Sequence, residues 1–252
     1  MNFSFTGTFD FKEDKFIREG KTKNGDEYIS INASIVSAKT NRGFVESFGC
    51  YQNTIYTMDN DNNKIEIAYA DRNDKDVIDT VADYKKHIVS DVDGNRKVFI
   101  SDYDFNKYLV SIKDELKGSK VLVTGRATSN VYKGDITQRF NIQNIYFIND
   151  EDRKNKLTIK DTFYWNKDGV DSADFTSEKK LYINGYIQSY ISKAVGNKYI
   201  PLQATIDCSK LDFENEKHIN LLKAKLLGFG LSYEDGKIKN KLKSGKYYKQ
   251  LI

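Results

Sequence analysis

The run from Ser101 to Ile148, SDYDFNKYLVSIKDELKGSKVLVTGRATSNVYKGDITQRFNIQNIYFI, constrains this chain more than any other stretch. Phe105, Tyr108, Leu109, Ile112 and Leu116 recur at spacings of three and four, so they share one face of a helix. Asp102 or Asp104 is placed to cap its start, and Gly118 to stop it. The period then changes to two. Val121, Val123 and Gly125 alternate with Leu122, Thr124 and Arg126, as strand residues do. Lys133-Gly134-Asp135 turns the chain back into a partner strand from Thr137 to Ile148. A helix leading into a long hairpin is the order of the second half of an oligonucleotide/oligosaccharide-binding (OB) barrel.

The first half fits the same barrel. Phe3, Phe5, Gly7 and Phe9 open an alternating strand, and residues 12–27 form a polar excursion that turns at Asn24-Gly25. Ile29, Ile31, Ala33 and Ile35 then point one way, and Tyr28, Ser30, Asn32 and Ser34 the other. Thr40 to Gly43 turns this strand into its return, Phe44 to Tyr51. Residues at about 52–100 exceed a minimal connection and read as a structured insertion, strand-like at KIEIAY and KVFI and helical at Val77–Tyr84. The apolar-free run NDEDRKNK after Ile148 marks a boundary, giving domains 1–150 and 151–252. In the second, Leu181–Ile191 pairs with Tyr199–Ile206, where Pro201 requires an edge strand, and Glu214–Leu227 is helical. The expected fold is mainly β with minor α, an OB-type barrel in the N-terminal half followed by a second, smaller OB-like β domain with a basic C-terminal tail.

Several classes of chemistry find no residues to carry them. His87 and His218 have no Cys or His at ligand spacing and read as surface residues. Asp59-Asn60-Asp61-Asn62-Asn63 begins like a calcium loop, but Lys64 stands where the glycine belongs and Ala70 where the bidentate glutamate belongs, so a solvated turn is expected. No phosphate-loop, nucleophile-elbow or zinc-helix motif occurs, which points to a binding protein rather than an enzyme, with no cofactor and no metal. Cys50 and Cys208 lie far apart, as suits a reducing compartment. The apolar runs are too short to span a bilayer and no leader is visible in residues 1–20, so a cytoplasmic location and no membrane partner are expected.

Charge and rings are more informative. Residues 1–150 hold 21 Lys/Arg against 23 Asp/Glu, whereas residues 151–252 hold 19 against 13. Lys237 to Ile252 contains six lysines and no acid, and its spacing suits neither helix nor clean strand. It reads either as a solvated face or as a mobile, phosphate-facing arm. The chain also carries 17 Tyr and 15 Phe, rings that can cap a core or lie flat under bases. A protein that tracks a single strand needs cations for phosphates interleaved with flat rings. Lys39 and Arg42 in the first hairpin, Arg126 on the fourth strand, Tyr132 and Lys133 in the next loop, and Arg139 and Phe140 on the closing strand supply that alternation. Tyr28 joins them, with Phe44 and Phe48 on one face of their strand. Phe44, Phe48 and Phe140 fit a core position equally well, whereas Tyr28, Tyr132 and Arg139 favour the interface.

The runs ESFGCYQNTIY (Glu46–Tyr56), IEIAYADR (Ile65–Arg72), VIDTVADYKKHIV (Val77–Val89) and KVLVTGRATSNVYKGDITQRFNIQNIYFI (Lys120–Ile148) resemble the single-stranded DNA-binding proteins of tailed phages from low-GC Gram-positive hosts. The Tyr-Lys-Gly hairpin and the Gln-x-Ile-Tyr closing strand are the most specific parts. The likeness covers most of residues 1–230 except the Lys12–Glu27 excursion. It implies an OB core and sequence-tolerant coating and protection of single-stranded DNA in phage replication or recombination. It further implies phage replication proteins as partners, room for oligomerisation, and the cytoplasm of the infected bacterial host. One departure concerns the end. Many replication-type binding proteins carry an acidic partner-docking tail, whereas Lys237–Ile252 is basic, so either recruitment works differently or such a tail lies outside this sequence. Two other readings stay open: a structural or interaction protein built on the same β domains, such as a virion component or an inhibitor, and a nuclease or annealing enzyme, which would need metal or turnover.

Overall fold

The computed structural model describes residues 2–132, 135–149, 154–192 and 196–251, with side chains outside 129–137, 189–198 and 251. It divides into two compact units, one built mainly on residues 2–128 and 138–159, the other mainly on residues 160–252. Among the described residues no helix is long and apolar enough to cross a membrane.

In chain order the first unit contains β1 (Asn2–Asp10), α1 (Glu13–Phe16), β2 (Ile17–Lys21), β3 (Glu27–Ala38), β4 (Asn41–Cys50), β5 (Thr54–Met58) and β6 (Lys64–Ala68). There follow α2 (Lys75–Thr80), β7 (His87–Ser90), β8 (Arg96–Phe99), α3 (Asp102–Ser111), α4 (Lys113–Leu116), β9 (Lys120–Tyr132), β10 (Asp135–Phe147) and β11 (Lys156–Lys160). Five of these strands close on themselves. β1 pairs antiparallel with β3, β3 with β4, β4 runs parallel to β10, β10 pairs with β9, and β9 returns antiparallel to β1. That circuit, with a helix between its third and fourth strands, is the OB barrel. Closure depends on β1 serving two partners: Asn2 to Thr8 pair with β9, and Thr8 to Asp10 with β3. Gly7 sits at the changeover, where a Cβ would lie 2.4 Å from the Val36 carbonyl oxygen.

Inward positions hold the apolar set anticipated from the alternation. Phe3, Phe5, Phe9, Ile29, Ile31, Ile35, Val45, Val121, Val123 and Ile145 are all buried. The helix seals one end with Phe105, Leu109 and Leu116, which are fully buried, and Asn106 donates from Nδ2 to the Ile29 carbonyl at 2.9 Å. Its cap is Ser101, whose hydroxyl accepts from the Asp104 amide, rather than either aspartate. The helix breaks at Ile112 and resumes as α4, then stops at Gly118, whose φ is +84°. The excursion at residues 12–27 is more ordered than its polarity suggested. Phe16 is buried and stacks on Phe11 at 3.9 Å, and β2 extends the sheet along β3.

The insertion is part of the barrel wall. β10 pairs with β4 at Asn141 and then with β7 from Asn144 to Tyr146, so the β7–β8 hairpin prolongs the sheet where β4 leaves it. The β5–β6 hairpin and α2 form a small core of Ile67, Val81 and Ile100. His87 fixes the junction rather than facing solvent. Its Nε2 lies 2.6 Å from Asp102, its Nδ1 3.2 Å from the Gln143 carbonyl, and its ring stacks on Phe105. Asp59 spends its carboxylate on the amides of Asp61 and Asn63, as a solvated turn does.

The second unit comprises β12 (Thr162–Asp171), α5 (Phe175–Glu178), β13 (Lys180–Ser192), β14 (Gly196–Asp207), α6 (Glu216–Gly228), β15 (Leu231–Glu234), β16 (Lys237–Asn240) and β17 (Tyr247–Leu251). Its antiparallel sheet runs β14-β13-β12-β17, which places Pro201 on an edge strand as expected. Trp165, Phe163, Phe175, Leu181, Ile183, Ile187, Ile200, Leu222, Leu226, Leu231 and Leu242 form its core. The basic tail is folded, which corrects the expectation of a mobile arm. Its lysines alternate with Ile238 and Leu242, which pack inward, and residues 247–251 add an edge strand to the sheet. Lys239 and Lys241 both pair with Glu234 at 2.8 Å, holding that carboxyl down to about 2.

Candidate nucleic-acid interface

Alternation along β3 and β4 sends every second side chain out of the barrel. Outside β3 lie Tyr28, Ser30 and Asn32, and outside β4 lie Phe44, Glu46 and Phe48. Phe44 is 70% exposed and Phe48 55%, which settles their placement as surface rings. Tyr28 stacks on Phe48 with centroids 5.4 Å apart and planes at 29°, a diagonal pair across the two strands. Two large rings held in water on β4, a strand whose other face is buried through Gly43, Val45, Ser47 and Gly49, have no folding role to explain them.

A cleft of 360 Å³ opens beside Phe48. Tyr56, Tyr69, Tyr84 and Lys85 of the insertion line it opposite Arg126, Asn141 and Gln143 of the closing strands. Tyr56 is 69% exposed. Tyr84 is fixed by a hydrogen bond from its hydroxyl to Asn62 at 2.7 Å, and Gln143 donates to its carbonyl at 2.6 Å. The Arg126 guanidinium lies 5.7 Å from the Tyr84 ring centroid, and the Lys85 ammonium 5.8 Å. Deeper in the wall, Tyr69 bonds Asp104 at 2.7 Å, and Arg72 pairs with the same carboxylate. Burial, and then that bond, push the Tyr69 phenol well up. That network is structural. A second hollow, of 280 Å³, flanks Phe44 and is lined by Lys12, Lys15, Asn32 and Arg42 together with Asp10. Arg42 is tied to Asp10 at 2.8 Å and donates to Ser34 at 3.0 Å, so part of its charge is already matched. Glu46 lies between Phe44 and Phe48 on the outer face. The Glu46 carboxylate makes the middle of this outer strand face unfavourable for an anionic group, whereas the rings on either side of it offer flat apolar surface.

Tyr28, Phe44 and Phe48 thus share one face, Arg42 flanks it, and Arg126 stands across the cleft. Lys39 is exposed in the β3–β4 turn, and Arg139 is exposed on β10. Phe140 belongs elsewhere. It is half-buried and packs against Phe3 and Phe5 with centroids 5.4 and 5.0 Å away, which favours the core position its strand also allowed. Tyr132 and Lys133 lie outside the described residues, Tyr132 for its side chain. Tyr56, Tyr84 and Lys85 were not anticipated.

No protein-family model matches the chain, and no curated protein matches it. Among solved structures it is similar to a deletion mutant of the single-stranded DNA binding protein from Thermus aquaticus, at 12% identity and a TM-score of 0.35, covering 83% of this chain and 77% of that one. The assignment of the barrel rests on the strand order and pairing given above.

Proposed function

We propose that this chain is a single-stranded DNA-binding protein that coats and protects the strand with little preference for base. The observation that carries the reading is the ring row on the outer barrel face, exposed Phe44 and Phe48 with half-buried Tyr28 stacked on Phe48, and the cleft that Phe48 shares with Tyr56, Tyr84, Lys85 and Arg126. Rings offer stacking to any base, and cations at the rim take phosphates, so such a face reads π-surface and backbone rather than base edges. Duplex hides its base faces and loses that contact. The resemblance of residues 46–148 to phage proteins supports a finer reading: action in phage replication or recombination, in the cytoplasm of an infected bacterium, beside phage replication proteins.

Fluorescence-anisotropy titration with oligo-dT and with the matching duplex tests it. Single strands longer than the ~4–16 nucleotides one OB fold covers should bind far more tightly than duplex. Equal affinity for both at moderate salt overturns the reading, and no salt-sensitive affinity for either returns the chain to the interaction-protein class.

A further inference from the structure

The sheet of the C-terminal unit also sorts its residues by parity. Phe163 and Trp165 enter the core, so Tyr164 points away from it. Ile187 and Ile200 do likewise, which turns Tyr186 and Tyr199 outward. Tyr248 packs on Trp165, leaving Tyr247 and Lys249 outward. Each of the four strands therefore gives one tyrosine to the same face. Together the four rings line a hollow of 470 Å³. Tyr164 and Tyr186 are register partners, and Lys249 stands opposite Tyr164 on the next strand. Tyr164 and Tyr199 meet edge to face at 6.1 Å. Tyr186, Tyr199 and Tyr247 are 41, 56 and 67% exposed. The adjoining hollow is polar, with Asn166, Asp168, Asn184 and Gln203 in its wall.

The occupant is constrained by this chemistry. Four phenol rings present flat π-faces at small entropic cost, because each has only two side-chain torsions to fix. The lining of the tyrosine hollow holds no carboxylate, and an ammonium stands on the neighbouring strand position. Flat bases on an anionic backbone match that set. We infer that this face is a second base-stacking site for single-stranded DNA, in addition to the barrel face. The ligand class rests on the function proposed above. One chain then covers more nucleotides of a long strand than its barrel alone.

The test uses the full chain with Tyr186→Leu, Tyr199→Leu and Tyr247→Leu combined, beside the corresponding triple Phe variant and Phe48→Ala. On long poly-dT, the Leu triple should cover fewer nucleotides per chain and bind at least ~5-fold more weakly, the smallest effect of one lost stack. The Phe triple should keep both properties, and melting curves of all three should match the parent. Bromodeoxyuridine oligomers should photocrosslink to Tyr186, Tyr199 or Tyr247. Unchanged coverage and affinity in the Leu triple, with binding weakened by Phe48→Ala, overturns this site and leaves the barrel reading standing. A parent chain with no single-strand affinity overturns both. A parent dimer that the Leu triple dissociates, at unchanged coverage, assigns the face to self-association and overturns it too.

Discussion

At the scale of single residues, neighbouring rings have opposite duties. Phe48→Ala removes an exposed ring stacked on Tyr28 and should cost ~1–3 kcal/mol of single-strand affinity with little change in melting temperature. Phe140→Ala removes a ring lodged against Phe3 and Phe5 and should do the reverse, costing up to ~3 kcal/mol of stability. Titration and thermal melts of the two variants, run in parallel, check the contrast. The distinction was partly legible in the sequence. Arg139 and Phe140 are adjacent on a strand, so both cannot face one ligand, and the parity rule alone removes one of them. Cys50 offers a second probe, since it lines the cleft while Cys208 is buried. Burial, and then Asp26, raise the Cys50 thiol above its ordinary value of 9.0, so it stays protonated and slow to alkylate near neutrality. Maleimide labelling at alkaline pH should modify Cys50 before Cys208, and saturating oligo-dT should slow it. Labelling indifferent to DNA would place the strand elsewhere.

Elements show what periodicity can and cannot give. The helix, the β9–β10 hairpin and the faces of β3 were readable because a long apolar repeat fixes which side is buried. Tyr56 and Tyr84 were not, because their position over the barrel depends on β7 lying parallel to β10, a pairing between distant segments that no local repeat records. The lysine-rich end misled for a related reason. β16 is four residues and β17 five, too short to display a period, while the lysines that advertise solvent simply occupy the outward positions. Deleting residues 237–252 should therefore remove Leu242 and an edge strand and unfold the second unit, rather than merely flatten the salt dependence of binding. Limited proteolysis with circular dichroism reports which occurs. Glu234 adds a pH signature. Its folded value of about 2 lies below the ordinary 4.5, so its contribution is present above 4.5 and fades as pH falls through about 2.

Over the whole molecule, the charge is modest and unevenly spread, and some of the cations are matched within the fold, as with Arg42 to Asp10 and Lys239 to Glu234. Salt sensitivity should come from the cations that line the cleft. Arg126→Gln and Lys85→Gln should each lower the slope of log affinity against log salt by ~0.7, measured by titration from low to moderate ionic strength. The two units have their own cores. The way β1 is shared has a consequence in time. Asn2 to Thr8 are made well before their β9 partners and find them only once Lys120 to Arg126 have followed. Until then the growing chain carries phenylalanine-rich strands with an unsatisfied edge. Closure is a late event of high contact order, and the interval before it is when a nascent chain of this kind is most exposed to aggregation and most dependent on chaperones.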